Sequence, residues 1–245
     1  MGLKKLLFIV LTTGIIHTGY SQSETDTETN KKERKGSPDI PGTFLIDFGL
    51  SFTTDNPVGF NTGLWGSRTL NLYYIHDKQF GQSKFSIHPG IGFGLERYKF
   101  NNEKTLAYIP GPDSPFDTLR MVDGVEGITK SQLIANYIDA LVELRFSSSP
   151  NDPAHSFKAS IGIKGGYLFD SFTKQKYREN RETKKLKDKQ NWNVTEFRYG
   201  LTARMAYGNF GLFGYYSLTP IFLEGKGPDM ADLNSWTIGI TLSGF

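Results

Sequence analysis

The sequence predicts an all-β fold, an eight-stranded antiparallel up-and-down transmembrane β-barrel. Two observations carry that reading. Eight stretches alternate apolar and polar residues, and a period of two sends successive side chains to opposite faces of a strand. The connections between them alternate long and short, which in an up-and-down barrel gathers the long loops on one rim and the short turns on the other. Helical spacing is nowhere sustained, so no competing helical architecture arises.

The first stretch, 43–52, sets Phe44, Ile46, Phe48, Leu50 and Phe52 on one face. In 69–76, Leu70, Leu72 and Tyr74 align. In 84–100, Phe85, Ile87, Ile91, Phe93 and Leu95 oppose Ser86, His88, Gly90, Gly92, Gly94 and Glu96. The fourth, 133–146, opposes Ile138, Ala140, Val142, Leu144 and Phe146 to Tyr137, Asp139, Glu143 and Arg145. The fifth, 157–169, sets Ala159, Ile161 and Ile163 against Lys158, Ser160, Gly162 and Lys164. The sixth, 194–207, sets Phe197, Tyr199, Leu201, Ala203, Met205 and Tyr207 against Glu196, Arg198, Gly200, Thr202 and Arg204. The seventh, 212–222, is the least regular, and Pro220 marks a bulge or strand end. In the last, 235–243, Trp236, Ile238, Ile240 and Leu242 alternate with Ser235, Thr237, Gly239, Thr241 and Ser243.

Residues 1–21 read as a signal peptide. Lys4 and Lys5 precede an apolar run over 6–16, and the small residues Gly19 and Ser21 suit a cleavage site. That run is shorter than the roughly 20 apolar residues a membrane helix needs. Residues 22–42, with the charged block 31–35, are too polar to build a core and read as a flexible periplasmic lead-in. Residues 43–245 form the barrel domain. The chain has no cysteine, so disulfides, thiolate metal sites and thiol nucleophiles are excluded. Loss of Lys4 and Lys5 with the leader takes the formal charge from +3 to +1, which gives no reason to expect nucleic acid as a partner.

A soluble barrel hides its apolar face and a membrane barrel displays it. Three details favour the membrane. The apolar faces are nearly free of charge, and small residues such as Gly90, Gly92, Gly94 and Gly162 fall where a narrow lumen needs them. Aromatics mark strand ends, as girdles do at membrane–water interfaces: Phe52, Tyr74, Phe85, Tyr98, Phe146, Phe157, Phe169, Tyr207 and Trp236. With an export signal, these point to the bacterial outer membrane. About eight strands leave an interior that side chains just fill. The inward charges are therefore expected to pair and close the lumen: Asp47, Glu96, Asp139, Glu143 and Glu196 against Arg145, Lys158, Lys164, Arg198 and Arg204.

No catalytic motif, metal spacing or cofactor signature stands out. His76, His88 and His155 fall near the short-turn rim; His88 beside Asp47 or Glu143 makes either an acid–base pair or a lumen hydrogen-bond network. No zinc or calcium-loop spacing occurs, and the glycines of 90–94 lie inside an alternating strand with no helix after them. The binding candidates lie in the long loops. Lys174, Lys176, Arg178, Arg181, Lys184, Lys185, Lys187 and Lys189 read by default as a solvated run. On an outer rim they would face phosphorylated lipopolysaccharide or an acidic protein. Tyr108 and Phe116, flanking a Pro-Gly-Pro turn, either form a docking surface or fold over the barrel mouth.

The Ser21-Gln22 junction, the strand over 157–167 with its Gly165-Gly166 pair, and the terminal aromatic Phe245 resemble small outer-membrane β-barrels of Bacteroidota, the grouping that includes PorT-like proteins. That resemblance spans 43–245 and implies a non-enzymatic barrel, with an accessory role in protein secretion or an envelope complex. Phe245 departs from the pattern, being out of step with Leu242 unless a bulge near Gly244 intervenes. Two other classes remain open: a barrel-housed lipid- or envelope-modifying enzyme, and a soluble exported ligand-binding barrel.

Overall fold

The computed structural model describes residues 42–56, 60, 65–100, 103–111 and 114–244, with backbone alone at 111 and 114–117. The signal-peptide segment 1–21, all but the last residue of the lead-in, and Phe245 lie outside the described residues. The strands are β1 (Thr43–Thr53), β2 (Arg68–Ile75), β3 (Lys78–Gln79), β4 (Phe85–Phe100), β5 (Lys104–Gly111) and β6 (Ser114–Asp123). They continue with β7 (Ile128–Ser147), β8 (Phe157–Glu179), β9 (Glu182–Asp188), β10 (Phe197–Tyr207), β11 (Phe210–Ser217) and β12 (Ser235–Ser243).

Eight of these close into an antiparallel ring, β1–β2–β4–β7–β8–β10–β11–β12, with β12 pairing back onto β1. Register keeps like faces together. Phe48 of β1 sits between Leu70 of β2 and Ile240 of β12, while Asp47 sits between Asn71 and Thr241. The apolar set points out: Ile161 is 67% exposed and Ile163 64%, whereas Asp47, Asp139 and Glu143 are 0% exposed. This is the reverse of a soluble barrel. Leaving a large apolar side chain in water forgoes about 1.5–3 kcal/mol of burial, so a belt of them needs hydrocarbon around it.

The expected alternation of connections holds. Between β10 and β11, Tyr207 pairs with Phe210 across the two residues Gly208 and Asn209. Gly208 has φ +58, and a Cβ there would sit 2.6 Å from the Ala154 carbonyl oxygen, so glycine suits the turn twice over. β11 ends at Ser217, short of the expected 222. Past it, Phe222 makes only an isolated bridge to Val194, which stands outside β10 although 194 was the expected start of that strand.

The long connections depart most from expectation. The one after β4 folds into the β5–β6 hairpin, and β7 begins at Ile128 rather than 133. β8 runs 23 residues, where about 9–11 cross a membrane. Its outer part pairs with β9, so the charged stretch expected as a mobile loop is an ordered hairpin. Asn180 (φ 51) and Arg181 (φ 65) form its tip between the paired Glu179 and Glu182, both left-handed as a tight hairpin turn requires. A bulge marks the change. Tyr137 pairs with Leu168 and Asn136 with Asp170, leaving Phe169 without an opposite number. Below it the outward residues of β8 are odd-numbered, as in Tyr167; above it they are even-numbered, as in Phe172 and Lys174. Tyr98, expected in the aromatic girdle, instead points inward and is buried, because it shares the parity of Glu96.

Candidate functional site

The barrel interior is filled in tiers. Next above the short-turn rim, Arg204 forks across Asp47, with Nη1 to Oδ1 at 2.9 Å and Nη2 to Oδ2 at 3.1 Å. Its Nε donates to Glu143 Oε1 at 2.8 Å. Ser160 donates to the other Glu143 oxygen at 2.9 Å, and Asn71 donates to Asp47 at 3.2 Å. Higher up, Arg198 repeats the device. Its Nη2 reaches both Asp139 oxygens at 3.0 and 2.9 Å, and its Nη1 donates to Glu96. Tyr73 and Tyr98 donate to Asp139 and Glu96 at 3.0 and 2.7 Å. Lys164 lies 3.9 Å from Asp139 and 3.5 Å above the Tyr215 ring, and Arg198 stacks over Tyr137 at 3.8 Å. Each arginine thus spans two carboxylates, the arrangement that makes buried charge tolerable. A Cβ at Gly94 or Gly166 would overlap the Asp139–Arg198 pair, so the lumen glycines reserve volume for it.

Of the ten charges expected in the lumen, the structure brings seven together. Arg145 and Lys158 are half-buried at the short-turn rim, where Lys158 donates to the Gly208 carbonyl at 2.9 Å. Glu196, expected in the lumen, stands outside it. It is exposed, because it precedes β10 and lies beyond the walled part of the barrel. Tyr73, Tyr98 and Tyr215 were missed as interior residues; strand parity alone would have placed them inside, as it did Tyr137.

Above the charges lies an apolar cap. Phe60, Leu106, Leu119, Trp192, Phe222 and Leu233 come from all four long connections and pack on Tyr98, Leu133 and Tyr137 of the wall. Tyr108 stacks on Trp192 with centroids 5.6 Å apart and planes within 2°. Tyr108 therefore folds over the mouth. Phe116 lies on β6, where only the backbone is described, so its side chain falls outside the description.

At the other rim His88 has neither expected partner. Its Nδ1 is 2.5 Å from Asp77 Oδ1 and its Nε2 is 2.7 Å from Ser86 Oγ. Burial pushes the Asp77 carboxyl up, but the hydrogen bond and charge of His88 outweigh it and hold the group below its ordinary value. A polar cavity of about 220 Å³ opens beside this chain, lined also by Lys84, Arg145 and Lys158. Among the described residues no cluster of His, Asp or Glu could hold a metal ion.

A family model described as outer membrane protein beta-barrel domain matches residues 6–223. The chain belongs to the outer membrane protein beta-barrel domain family. Membership and the outward apolar belt together place this family member in the outer membrane. Among solved structures, Ail, the attachment invasion locus protein of Yersinia pestis, aligns at 13% identity with a TM-score of 0.35, covering 84% of this chain and 100% of that one. The same protein in complex with the heparin analogue sucrose octasulfate aligns at 13% and 0.34, over 84% and 100%. A porin mutant of Rh. blastica aligns at 10% and 0.20, over 83% and 98%. No curated protein sequence matches the chain.

In this family member the eight basic candidates do not form one cluster. Lys174, Lys176, Lys185 and Lys187 share one face of the β8–β9 hairpin, and Arg178 is exposed further out. Arg181 lies in the tip turn. Lys184, on the other face, pairs with Glu179 at 2.6 Å. Lys189 pairs with Asp170 at 2.8 Å, and its hydrogen bond holds the Asp170 carboxyl below its ordinary value.

Proposed function

We propose that the protein is a non-enzymatic, non-conducting outer-membrane barrel that acts through its long-loop end. Residues 1–21 direct export and are removed, the long loops face outward from the cell, and the projecting β7–β8–β9 sheet and the apolar cap present a binding surface. Its partners are outer-membrane lipid, including lipopolysaccharide, and a protein of a secretion or envelope complex, the accessory role of PorT-like barrels in Bacteroidota. The observation that carries this reading is the filled interior, where Arg198 and Arg204 tie four carboxylates across the barrel beneath a cap. Such an interior leaves no water path wide enough for solutes. The purified full chain in planar bilayers is expected to give no steady conductance; reproducible stepwise openings would sink the closed-barrel reading.

The Asp77–His88–Ser86 chain is the specific observation for a second reading, a barrel that modifies envelope lipid. Its order and separations resemble those of a hydroxyl beside an imidazole and a carboxylate, although Nδ1 makes no hydrogen bond of normal geometry to Asp77. On the binding reading it is a rim hydrogen-bond network. His88→Gln and Ser86→Ala are expected to leave the envelope lipid profile unchanged. An altered profile, with the variants still folded in the outer membrane, would transfer the function to catalysis.

A further inference from the structure

On one side of the barrel the outward face changes from apolar to cationic as the strands leave the belt. Along β4 the outward residues Phe93 and Leu95 give way to Arg97 and Lys99, and Arg68 of β2 pairs with Arg97. Lys99 pairs with Gln132 of β7, whose next outward position is Lys130. Across the β7–β8 ladder Gln132 pairs with Lys174 and Lys130 with Lys176. Those two in turn face Lys187 and Lys185 of β9. Five neighbouring strands therefore contribute to one surface, and Lys187 lies 3.7 Å over the ring of Phe172 on that same surface.

Strand parity sorts the hairpin by sign. Glu179, Glu182 and Asp188 occupy the opposite face, with Tyr177 and Lys184. Among the described residues none of the outward cations from Arg68 to Lys187 has an ion-pair partner, whereas Lys184 and Lys189 each have one. Lys130 registers the crowding: partial burial and the charges of Arg68, Lys99, Arg97 and Lys174 push its ammonium below the ordinary value. Apart from Asp170 at one edge, already paired with Lys189, these like charges are held together without an anion and form a surface that an external anion would relieve.

We propose that this face binds the phosphorylated headgroup of an outer-leaflet lipid. The proposal rests on the reading that the long-loop rim faces outward from the cell. Position selects a lipid over an acidic protein. The cations continue the same outward face as Phe93, Leu95 and Phe169, so a ligand with acyl chains against that belt presents its phosphates at their height. A soluble protein approaching from above would first meet the cap and the mixed-sign face of the hairpin.

The test uses the full chain in detergent micelles, with bisphosphorylated lipid A and fully dephosphorylated lipid A as probes. Phosphates should raise affinity about tenfold or more, and added salt should erase that preference, as screening of exposed charge demands. Lys99→Gln/Lys130→Gln/Lys174→Gln/Lys187→Gln should lose about tenfold for the phosphorylated probe, while Arg181→Gln/Lys184→Gln stays within about twofold. Heat-shifted gel migration reports folding of both variants, and the salt titration of the unaltered chain stands if the quadruple variant does not fold. Equal affinity for the two probes, equal loss in both variants, or displacement of lipid A by soluble polyglutamate would overturn the proposal, the last in favour of an acidic protein. Trypsin cleavage of the hairpin from the periplasmic side alone, and not on intact cells, would defeat the outward-facing reading and leave these micelle outcomes untouched, so the two failures are distinguishable.

Discussion

Arg198→Met is expected to destabilise the barrel by about 3–5 kcal/mol, because it strands two buried carboxylates. Glu96 and Asp139 are both held by this one guanidinium, and each is nearly inaccessible to water. Tyr73 and Tyr98 donate one hydrogen bond to each acid, and Lys164 at 3.9 Å is too distant to replace a forked pair. The methionine fills much of the space above Tyr137, so lost packing contributes less than lost charge compensation. Urea unfolding in lipid vesicles, followed by tryptophan fluorescence, gives the magnitude. Arg198→Met/Glu96→Gln/Asp139→Asn should recover most of the loss, because neutral amides carry no unpaired charge. A single-variant effect below about 1 kcal/mol would mean that water reaches these acids and that the interior is not packed.

The second large effect tests the outer face. Leu201 is 51% exposed on the outward side of β10 and pairs with Ile163, well inside the length of both strands. Leu201→Arg should cost about 2–4 kcal/mol in vesicles, the penalty for a cation near the bilayer midplane. Phe157→Arg, at the first residue of β8 by the short-turn rim, should cost about 0–1 kcal/mol. It is this depth dependence that marks hydrocarbon, since water around the barrel would make the two sites alike. Equal costs, or a stabilising effect at 201, would contradict an embedded belt.

These two sites also show what could be read from the chain. Alternation sufficed for Leu201 and Arg198, because a strand with one apolar and one polar face leaves no ambiguity about which residues share a side. It failed for the β8–β9 hairpin. The covered face is itself polar there, so the buried Thr173 and Gln175 alternate with Lys174, Lys176 and Arg178 without any apolar period. The cap was invisible for a different reason. Phe60, Trp192 and Leu233 are single apolar residues in separate loops, brought together only by tertiary packing. Glu196 kept the right parity but lay past the last walled position. The Asp77–His88–Ser86 chain joins a turn to a strand and could not be found by spacing.

The unpaired Phe169 also sets a rule for lengthening or exchanging the projecting hairpin. Everything above that residue takes its inside–outside sense from one inserted position. Segments transplanted there in steps of two residues would preserve which side chains look toward the membrane surface. An odd step would turn the whole projection over, presenting Glu179, Glu182 and Asp188 where the lysines now stand, while the wall below stayed in register. The same odd step would drive Lys174 and Lys176 toward the covered positions now held by Thr173 and Gln175, so the parity of one inserted residue fixes both the outer chemistry and the fit of the projection over the barrel.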